Sequence, residues 1–557
     1  MKDAIIRSLV KSSGLPRAKV EGLIEIPKDS TLGDFAFPCF TLARHFKKNP
    51  IEIAKDIGAK IAFGKEIEKI NVDGPYINFF LNSAQTAQTT LREILRKKEK
   101  FGHTAQGRGS TFVIDMSSPN IAKPFGVGHL RSTIIGNAVA FLYESLGYKI
   151  VRINYLGDWG TPFGKIIAGY KEFGSQEELK NNPIKHLLDV YVKASADERF
   201  EVLGREWFRK MEDGDKEALA LWKKFRKVSI DEFNKIYKLL NVTFDRISGE
   251  SEYNRAMANT IKELERKNLL EKSEGAQVIN LEKYGLGVCL IKKSDGATLY
   301  ATRDITAAID RQKKYKAKRL MYEVGAEQKL YFKQMFKVLE LMGHKWAREC
   351  VHIDHGLYLD NDGKKFATRK GKIVFMDGIL SETIHLAKEE ILKRSALSKK
   401  ELEKRALAIA RAAILYGDLK NYRGHDMVFD IDRFISFEGD TGPYLLYSYA
   451  RAKSILRKKR GAQNKISAVD VLNLHERALV NALARFPEIV QEAATWYAPN
   501  IIAQYAYTLA QRFNEFYHAT PVIGSDKEGF RLTLVSAFAQ VLKNALYLLG
   551  ISVLEEM

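Results

Sequence analysis

Three parts of this chain hold residue types that could act on a charged, phosphorylated substrate. The first is the stretch Ser118-Pro119-Asn120-Ile121-Ala122-Lys123-Pro124-Phe125-Gly126-Val127-Gly128-His129-Leu130-Arg131-Ser132. Its glycines let a backbone approach a nucleotide, and a helix starting there offers free N–H groups to phosphate. His129 falls in the first turn of that helix, and Lys123 supplies a mobile cation. The bland alternative is a tight strand-to-helix turn with a cap. The second part is Lys364-Lys365-Phe366-Ala367-Thr368-Arg369-Lys370-Gly371, a cationic loop suited to a triphosphate, whose lysines and arginine could gather charge on a leaving pyrophosphate. Its alternative is a solvated basic turn. The third is the pair Tyr300 and Asp304, whose i,i+4 spacing puts both on one face of a helix beginning there. Asp304 could equally be a dipole partner at that helix's N-terminus.

The elements that must position these residues are legible in outline. Thr111 to Asp115 is a short β-rich run. Leu130, Ile134, Ala138, Phe141, Leu142 and Leu146 then recur at helical spacing, with Gly147 as C-cap, and Lys149 to Asn154 reads as a second strand. That is a βαβ unit with a glycine-containing first turn. Residues from 165 to about 240 are helical and heavily charged, as in an insertion. Val288 to Ile291, Arg319 to Val324 and Cys350 to Ile353 read as buried strands, and Lys329 to Leu341 as a helix. The expected catalytic fold is therefore α/β, a Rossmann-like doubly wound parallel sheet over 109–395, split by the insertion. Before it, residues 1–108 read as an α+β module. It has a helix at Ile51 to Ile61, a strand pair around Asp73-Gly74-Pro75, a basic helix at Leu91 to Lys100 and a polar linker from Gly102 to Gly109. After it, 396–557 reads as all-α, opened by the capping-box pair Ser398 and Glu401, with Arg457 to Arg460 in a loop between helices.

Composition narrows the partners. Lys and Arg number 89 against 68 Asp and Glu, and this net charge of +21 favours a polyanion such as nucleic acid, or else serves only solubility. Cys39, Cys289 and Cys350 are too scattered for a disulfide framework or a structural zinc site. No apolar run approaches the ~18 residues of a membrane span. Met1 to Leu9 has no secretory h-region, so a cytoplasmic protein is expected.

The run from Ser117 to Gly136 resembles the HIGH motif of class I aminoacyl-tRNA synthetases, in the form found in arginyl enzymes. Tyr155 to Gly164, Ser248 to Ser251, Tyr300 to Asp304, Val324 to Gln328, Phe437 to Tyr444 and Phe516 to His518 resemble further blocks of that family, in collinear order over nearly the whole chain. Lys364 to Gly371 stands where class I enzymes carry KMSKS. It departs from that motif at Phe366, Ala367, Thr368 and Arg369, and the family implies that a lysine before HIGH compensates, the place of Lys123.

The resemblance implies an ATP-dependent ligase that joins L-arginine to tRNA(Arg) through arginyl-adenylate, with Mg2+ accompanying ATP, no structural metal and a monomeric chain. It puts Lys123, Gly126, Gly128, His129, Lys365, Arg369 and Lys370 in the catalytic loops. It puts Ser118, Pro119, Asn120, His129, Glu250, Tyr300, Asp304 and Gln328 around arginine. Tyr76 and Asn78 would read a D-loop base of the tRNA elbow, and Met557 would contact the anticodon; for Tyr76 ordinary core packing is the alternative. The family has His where this chain has Gly126, and Tyr331 and Pro162 replace a commoner His and Gln. Gly126 supports a rival reading, a non-catalytic tRNA-binding paralogue. A third reading, a cysteine specificity, would need metal-ligand cysteines.

Overall fold

The structure, a computed structural model, describes residues 2–27, 29–293, 300–360, 363–364, 376–393, 396–428, 434–436, 438–459, 469 and 471–557. Two units can be told apart. One is formed by Met1–Phe101, Ser448–Pro487 and Thr508–Leu542, the other by Gly102–Tyr447, Glu488–Tyr507 and Lys543–Met557.

In the first unit, strands β1 (Phe35–Pro38), β2 (Ile67–Asp73) and β3 (Tyr76–Leu81) form an antiparallel sheet in the order β1-β3-β2. The turn at Asp73-Gly74-Pro75 joins β2 to β3, with Gly74 at φ +53. Alternation along β3 sends Ile77, Phe79 and Leu81 into a core with Ile5, Leu9, Ile53 and Ile57. The helix expected at 51–61 is Pro50–Gly58, started by the Asn49 side chain accepting the Ile51 N–H. The basic helix begins earlier than its charge suggests. It runs Ser83–Lys97, because Asn82 caps it by accepting from the Gln85 N–H. Arg477 and Asn481, on the helix Leu474–Thr495, donate to Asp34 at 2.8 and 2.9 Å. Arg457 and Lys458 do not lie in a loop: they form the last turn of the helix Gly442–Lys458, where cations complement the exposed carbonyls. Arg460 lies outside the described residues.

The second unit holds a five-stranded parallel sheet. Its strands are β4 (Thr111–Asp115), β5 (Lys149–Leu156), β6 (Arg246–Gly249), then, after a separate antiparallel sheet of β7 (Glu271–Ser273), β8 (Ala276–Asn280) and β9 (Val288–Lys292), β10 (Arg319–Gly325) and β11 (Val351–His355). The order is β11-β10-β4-β5-β6. The chain winds outward from β4 through β5 to β6, then returns to the other side of β4 through β10 to β11. The switch point therefore lies between β4 and β10, and ligands bind in the crevice beyond the strand C-termini at such a point.

The helix Val127–Ser145 joins β4 to β5 and is buried along most of its length. The segment 165–240 is helical as expected, ending in the long helix Lys216–Leu240. One strand is reassigned. Val288 to Ile291 is not part of the parallel sheet, since β9 pairs antiparallel with β8. Cys289 and Ile291 are buried while Val288 and Leu290 are exposed, the alternation of a strand covered on one face only. Among its described residues the C-terminal region is mainly helical, with one short strand, Met427–Val428, paired with Tyr358–Leu359. Its helix Lys399–Leu419 starts at Ser398, whose hydroxyl accepts from the Glu401 N–H at 3.4 Å. Among the described residues no helix is long and apolar enough to cross a membrane.

Candidate active site

β4 ends in Asp115, and the backbone that follows is held in an uncommon conformation. Ser117, Ser118 and Ala122 have φ of +75, +47 and +56. Left-handed conformations of non-glycine residues cost free energy and persist only where the surroundings fix them. Here the fixing contacts are plain. Ser117 N–H donates to Ser132 Oγ at 2.9 Å, and Ser118 Oγ donates to Asp115 at 2.9 Å. Ser117 Oγ meets the Tyr237 hydroxyl at 2.8 Å, and Ala122 N–H donates to Ser229 Oγ at 2.9 Å. Ser229, Phe233 and Tyr237 form an i,i+4,i+8 stripe of the helix Lys216–Leu240, with Phe233 6.0 Å from Phe125. The charged segment is thus a clamp on the loop as well as an insertion. Gly157, at the end of β5, lies against the same loop. It bridges to Asn120, and a Cβ there would sit 2.0 Å from Asn120 Oδ1.

The loop delivers the chain to Gly126, the N-cap of the helix Val127–Ser145. Gly126 has φ −90 and ψ 170, ordinary extended backbone, and a Cβ added there would meet nothing within 4 Å. Its N–H donates to His129 Nδ1 at 3.2 Å, so the proton of the neutral imidazole resides on Nε2. Burial, and secondly the nearby Lys123 ammonium, push the His129 pKa down to about 4. Lys123 Nζ lies 5.4 Å from the centre of the Tyr191 ring. Gly128 is exposed in the first helical turn.

Beyond the ends of β4, β5 and β10 lies a cavity of about 540 Å3. Ser118, Asn120, Glu250, Tyr300, Asp304 and Gln328 all line it. Pro119 and His129 do not: Pro119 is buried, its carbonyl accepting from Gly157 N–H at 3.2 Å, and His129 stays with the helix N-terminus. Tyr300 and Asp304 share the face of the helix Tyr300–Tyr315 that their spacing predicts, and the same face continues through Ala307 to Arg311. Arg311 and Asp115 form a buried ion pair at 2.7 Å, and the Arg311 guanidinium lies 4.9 Å from the Tyr155 ring centre. Sequence reasoning misses Asp115, Tyr155, Arg311 and Tyr322 as lining residues. For Arg311 a signal exists, the +7 spacing from Asp304, and Tyr155 opens one of the blocks of family resemblance; for Asp115 and Tyr322 there is none.

The acidic groups carry the electrostatics. Arg311 balances Asp115. Glu250 has Arg303 at 3.7 Å, yet burial pushes its pKa up to about 8, with Asp304 and Asp158 adding to the rise. Distance and protonation point different ways here. At 3.7 Å the contact is too long for a charge-assisted hydrogen bond, so burial outweighs it. Asp304 is raised to about 6 by burial, against the hydroxyl of Tyr331, which donates to its Oδ2. The Tyr155 hydroxyl is buried near both carboxylates and has no hydrogen-bond partner among the described residues. A cavity with two carboxylates held above their ordinary pKa gains from an entering cation, which restores their charged forms.

Other expected residues lie elsewhere. Lys365, Arg369 and Lys370 lie outside the described residues, as does Phe437. Tyr76 is half-buried on β3, edge-on to Phe40 at 5.3 Å, and Asn78 is only 4% exposed, which leaves little of its amide on the surface. Met557 is half-buried. Pro162 lies in the first turn of the helix Thr161–Phe173, where a proline costs no hydrogen bond.

Comparison with known proteins agrees along the whole chain. Residues 90–431 match the family described as tRNA synthetases class I (R), catalytic domain. Residues 445–557 match the DALR anticodon binding domain, and 1–81 the arginyl tRNA synthetase N terminal domain. Arginine–tRNA ligase 1 of Bacillus thuringiensis subsp. konkukian (strain 97-27) is 43% identical over 555 residues, 99% of this chain and 98% of that protein. The arginine–tRNA ligase of Lactococcus lactis subsp. cremoris (strain MG1363) is 46% identical over 547 residues, covering 97% and 96%. Among solved structures, the Thermus thermophilus arginyl-tRNA synthetase superposes with a TM-score of 0.84 at 25% identity, covering 99% of this chain and 98% of that one. Nothing in these relatives supports the non-catalytic rival.

Proposed function

Since the chain belongs to the arginyl-tRNA synthetase family of class I ligases, which use ATP to charge tRNA with arginine, we propose that Glu250 and Asp304 hold the guanidinium of that arginine in the cavity beyond β4, β5 and β10. The observation that carries this reading is the pair of carboxylates facing one cavity, each with its pKa raised and, among the described residues, without a short ion pair. Tyr300 lines the same cavity, about one helical turn before Asp304. Ser118, Asn120 and Gln328, which line the same cavity, take the α-amino and carboxylate end of arginine.

ATP would enter against the N-terminus of the helix Val127–Ser145, whose N–H groups outside the helical ladder can hold its phosphates, with Mg2+ accompanying them as a supplier of neutralising charge. Its reacting end meets His129, Gly126 and Gly128, with Lys123 as the mobile cation and Lys365, Arg369 and Lys370 as the second cationic loop. A carboxylate oxygen of arginine attacks the α-phosphorus in line and pyrophosphate leaves. The terminal ribose hydroxyl of the tRNA then attacks the activated carbonyl, losing its proton as AMP departs. Orientation and preorganised charge supply the acceleration, with no covalent enzyme intermediate. The module 1–108 takes the tRNA elbow through Tyr76, with the mostly buried Asn78 offering only the small exposed part of its amide, and 396–557 the anticodon through Met557. The reading is completed by a monomer working in the cytoplasm.

An aminoacylation assay with labelled arginine and labelled citrulline tests the pocket. Citrulline has a neutral ureido group where arginine has a guanidinium, so charge-assisted hydrogen bonds worth roughly 1.5–3 kcal/mol each are lost. Arginine is charged and citrulline is not; equal kcat/KM for the two removes Glu250 and Asp304 from the pocket.

Gly126→His is expected to raise kcat of adenylate formation, by up to about 10²-fold if the imidazole reaches the developing charge, with arginine KM nearly unchanged. The open space around Gly126 and its ordinary φ remove strain as an objection. Pre-steady-state adenylate formation at saturating tRNA measures this. An unchanged rate shows that Lys123 and the backbone already meet the need.

A further inference from the structure

We propose that Tyr331 is a positioning residue for arginine recognition: its hydroxyl fixes one carboxylate oxygen of Asp304, Oδ2, and so leaves Oδ1 turned to the guanidinium. The proposal rests on the reading of this cavity as the arginine pocket.

Tyr331 stands in the first turn of the helix Lys329–Leu341, and Asp304 on the helix Tyr300–Tyr315; both side chains line the cavity. Among the described residues Tyr331 is the hydrogen-bond donor to Asp304. The ring is anchored, packing into the core beside Tyr155 and meeting Phe332 edge-on at 5.4 Å. Burial and the Asp304 charge hold its phenol well above the ordinary pKa, so it remains a donor at every working pH. Asp304 has several charged or titratable neighbours. Arg303 and Arg311, on its own helix with Tyr300, attract it; Asp115 from β4 and Glu250 from the turn after β6 repel it, and Tyr155 from β5 and Tyr322 from β10 lie near it. A carboxylate free to rotate would turn toward Arg303 or toward Arg311, which the 2.7 Å ion pair with Asp115 already occupies. A guanidinium contact through Oδ1 demands a fixed carboxylate plane, and loss of that preorganisation weakens binding without removing any group that touches the substrate.

The test is steady-state kinetics of the full-length enzyme with Tyr331→Phe and Tyr331→His, beside Asp304→Asn, read against pH. Tyr331→Phe is expected to raise arginine KM about tenfold, the effect of roughly one hydrogen bond to a charged group, with kcat within about twofold and selectivity over citrulline reduced. It also moves the acid limb of kcat/KM for arginine upward, because the hydroxyl that favours ionised Asp304 is gone. Tyr331→His keeps a ring donor and recovers part of the lost affinity. If Tyr331→Phe leaves both KM and the acid limb where they were, or lowers kcat and melting temperature together with no shift of the limb, Tyr331 is a packing residue and the proposal is wrong. Asp304→Asn keeps the two readings apart. A large rise in KM for Asp304→Asn with a silent Tyr331→Phe overturns only the positioning role. An unchanged KM for Asp304→Asn overturns the pocket itself.

Discussion

Asp304→Asn is expected to lower kcat/KM for arginine by about 10²–10³-fold, mostly through KM. The substitution keeps the shape and the Tyr331 contact but replaces an acceptor-only anion with a neutral amide, one end of which is a donor aimed at donors. Two charge-assisted hydrogen bonds at roughly 1.5–3 kcal/mol each set the upper range. Glu250 remains and keeps the loss from being total. The pH dependence follows from the same groups. In the free enzyme Asp304 titrates at about 6 and Glu250 at about 8, both raised chiefly by burial, and as interacting neighbours they titrate as a pair. Guanidinium binding requires their ionised forms, so arginine binding releases protons and kcat/KM climbs as pH rises from 6 to 8. For stability the sign is opposite. A carboxyl whose folded pKa is raised stabilises the fold fully below its unfolded pKa, and that contribution is lost as pH rises through about 6 and about 8. Arginine therefore protects against thermal unfolding more at pH 8 than at pH 6, and in Asp304→Asn that difference shrinks. Calorimetric titration with arginine in buffers of different ionisation enthalpy reads the released protons directly; no proton release from wild-type enzyme would contradict the assignment.

Much of this pocket is legible in the sequence, and the reasons differ by residue. Tyr300 and Asp304 share a face because helical geometry is local, so i,i+4 spacing suffices. β4 and the helix after Gly126 follow from a β-rich run and a clean apolar period. Arg311 is two turns along the face that Asp304 marks, but its meaning depends on Asp115, nearly two hundred residues earlier, lying opposite it across the switch point. Nothing local encodes that. The same holds for the Ser229, Phe233 and Tyr237 clamp, hidden in a segment whose charge reads as solvated surface. The left-handed residues Ser117, Ser118 and Ala122 are illegible for another reason: none is glycine, so composition carries no hint of positive φ. β9 is open to misplacement because a run of four β-branched and apolar residues fits a buried parallel strand and a half-covered edge alike; only its pairing with β8 decides.

His129→Asn should leave the protein folded and cost about 10²–10³-fold in kcat for adenylate formation, with arginine KM little changed. The imidazole has two separable jobs. Nδ1 accepts the Gly126 N–H at 3.2 Å and so closes the first helical turn, while Nε2, carrying the proton, is the atom free to donate to a phosphate oxygen. Asparagine places its Oδ1 near the Nδ1 position, preserving the cap and losing the outward donor. Glutamine does the reverse: its amide reaches the Nε2 position and leaves the Gly126 N–H without a partner. His129→Gln is therefore expected to retain more activity than His129→Asn, yet to melt lower, a cap being worth about 0.5–2 kcal/mol. If the imidazole mattered only as a cap, the order of activities would invert. Protonation separates the same two jobs. In the free enzyme the pKa is depressed to about 4, so the neutral tautomer meets the incoming ATP and His129 adds no acid limb to kcat/KM above about pH 5. Its contribution to stability is present above the unfolded value near 6.5 and is lost as pH falls through 4. An NMR titration of the ring that found His129 charged at pH 6 would remove the neutral donor from the mechanism, and a rate for His129→Asn close to wild type would remove it altogether.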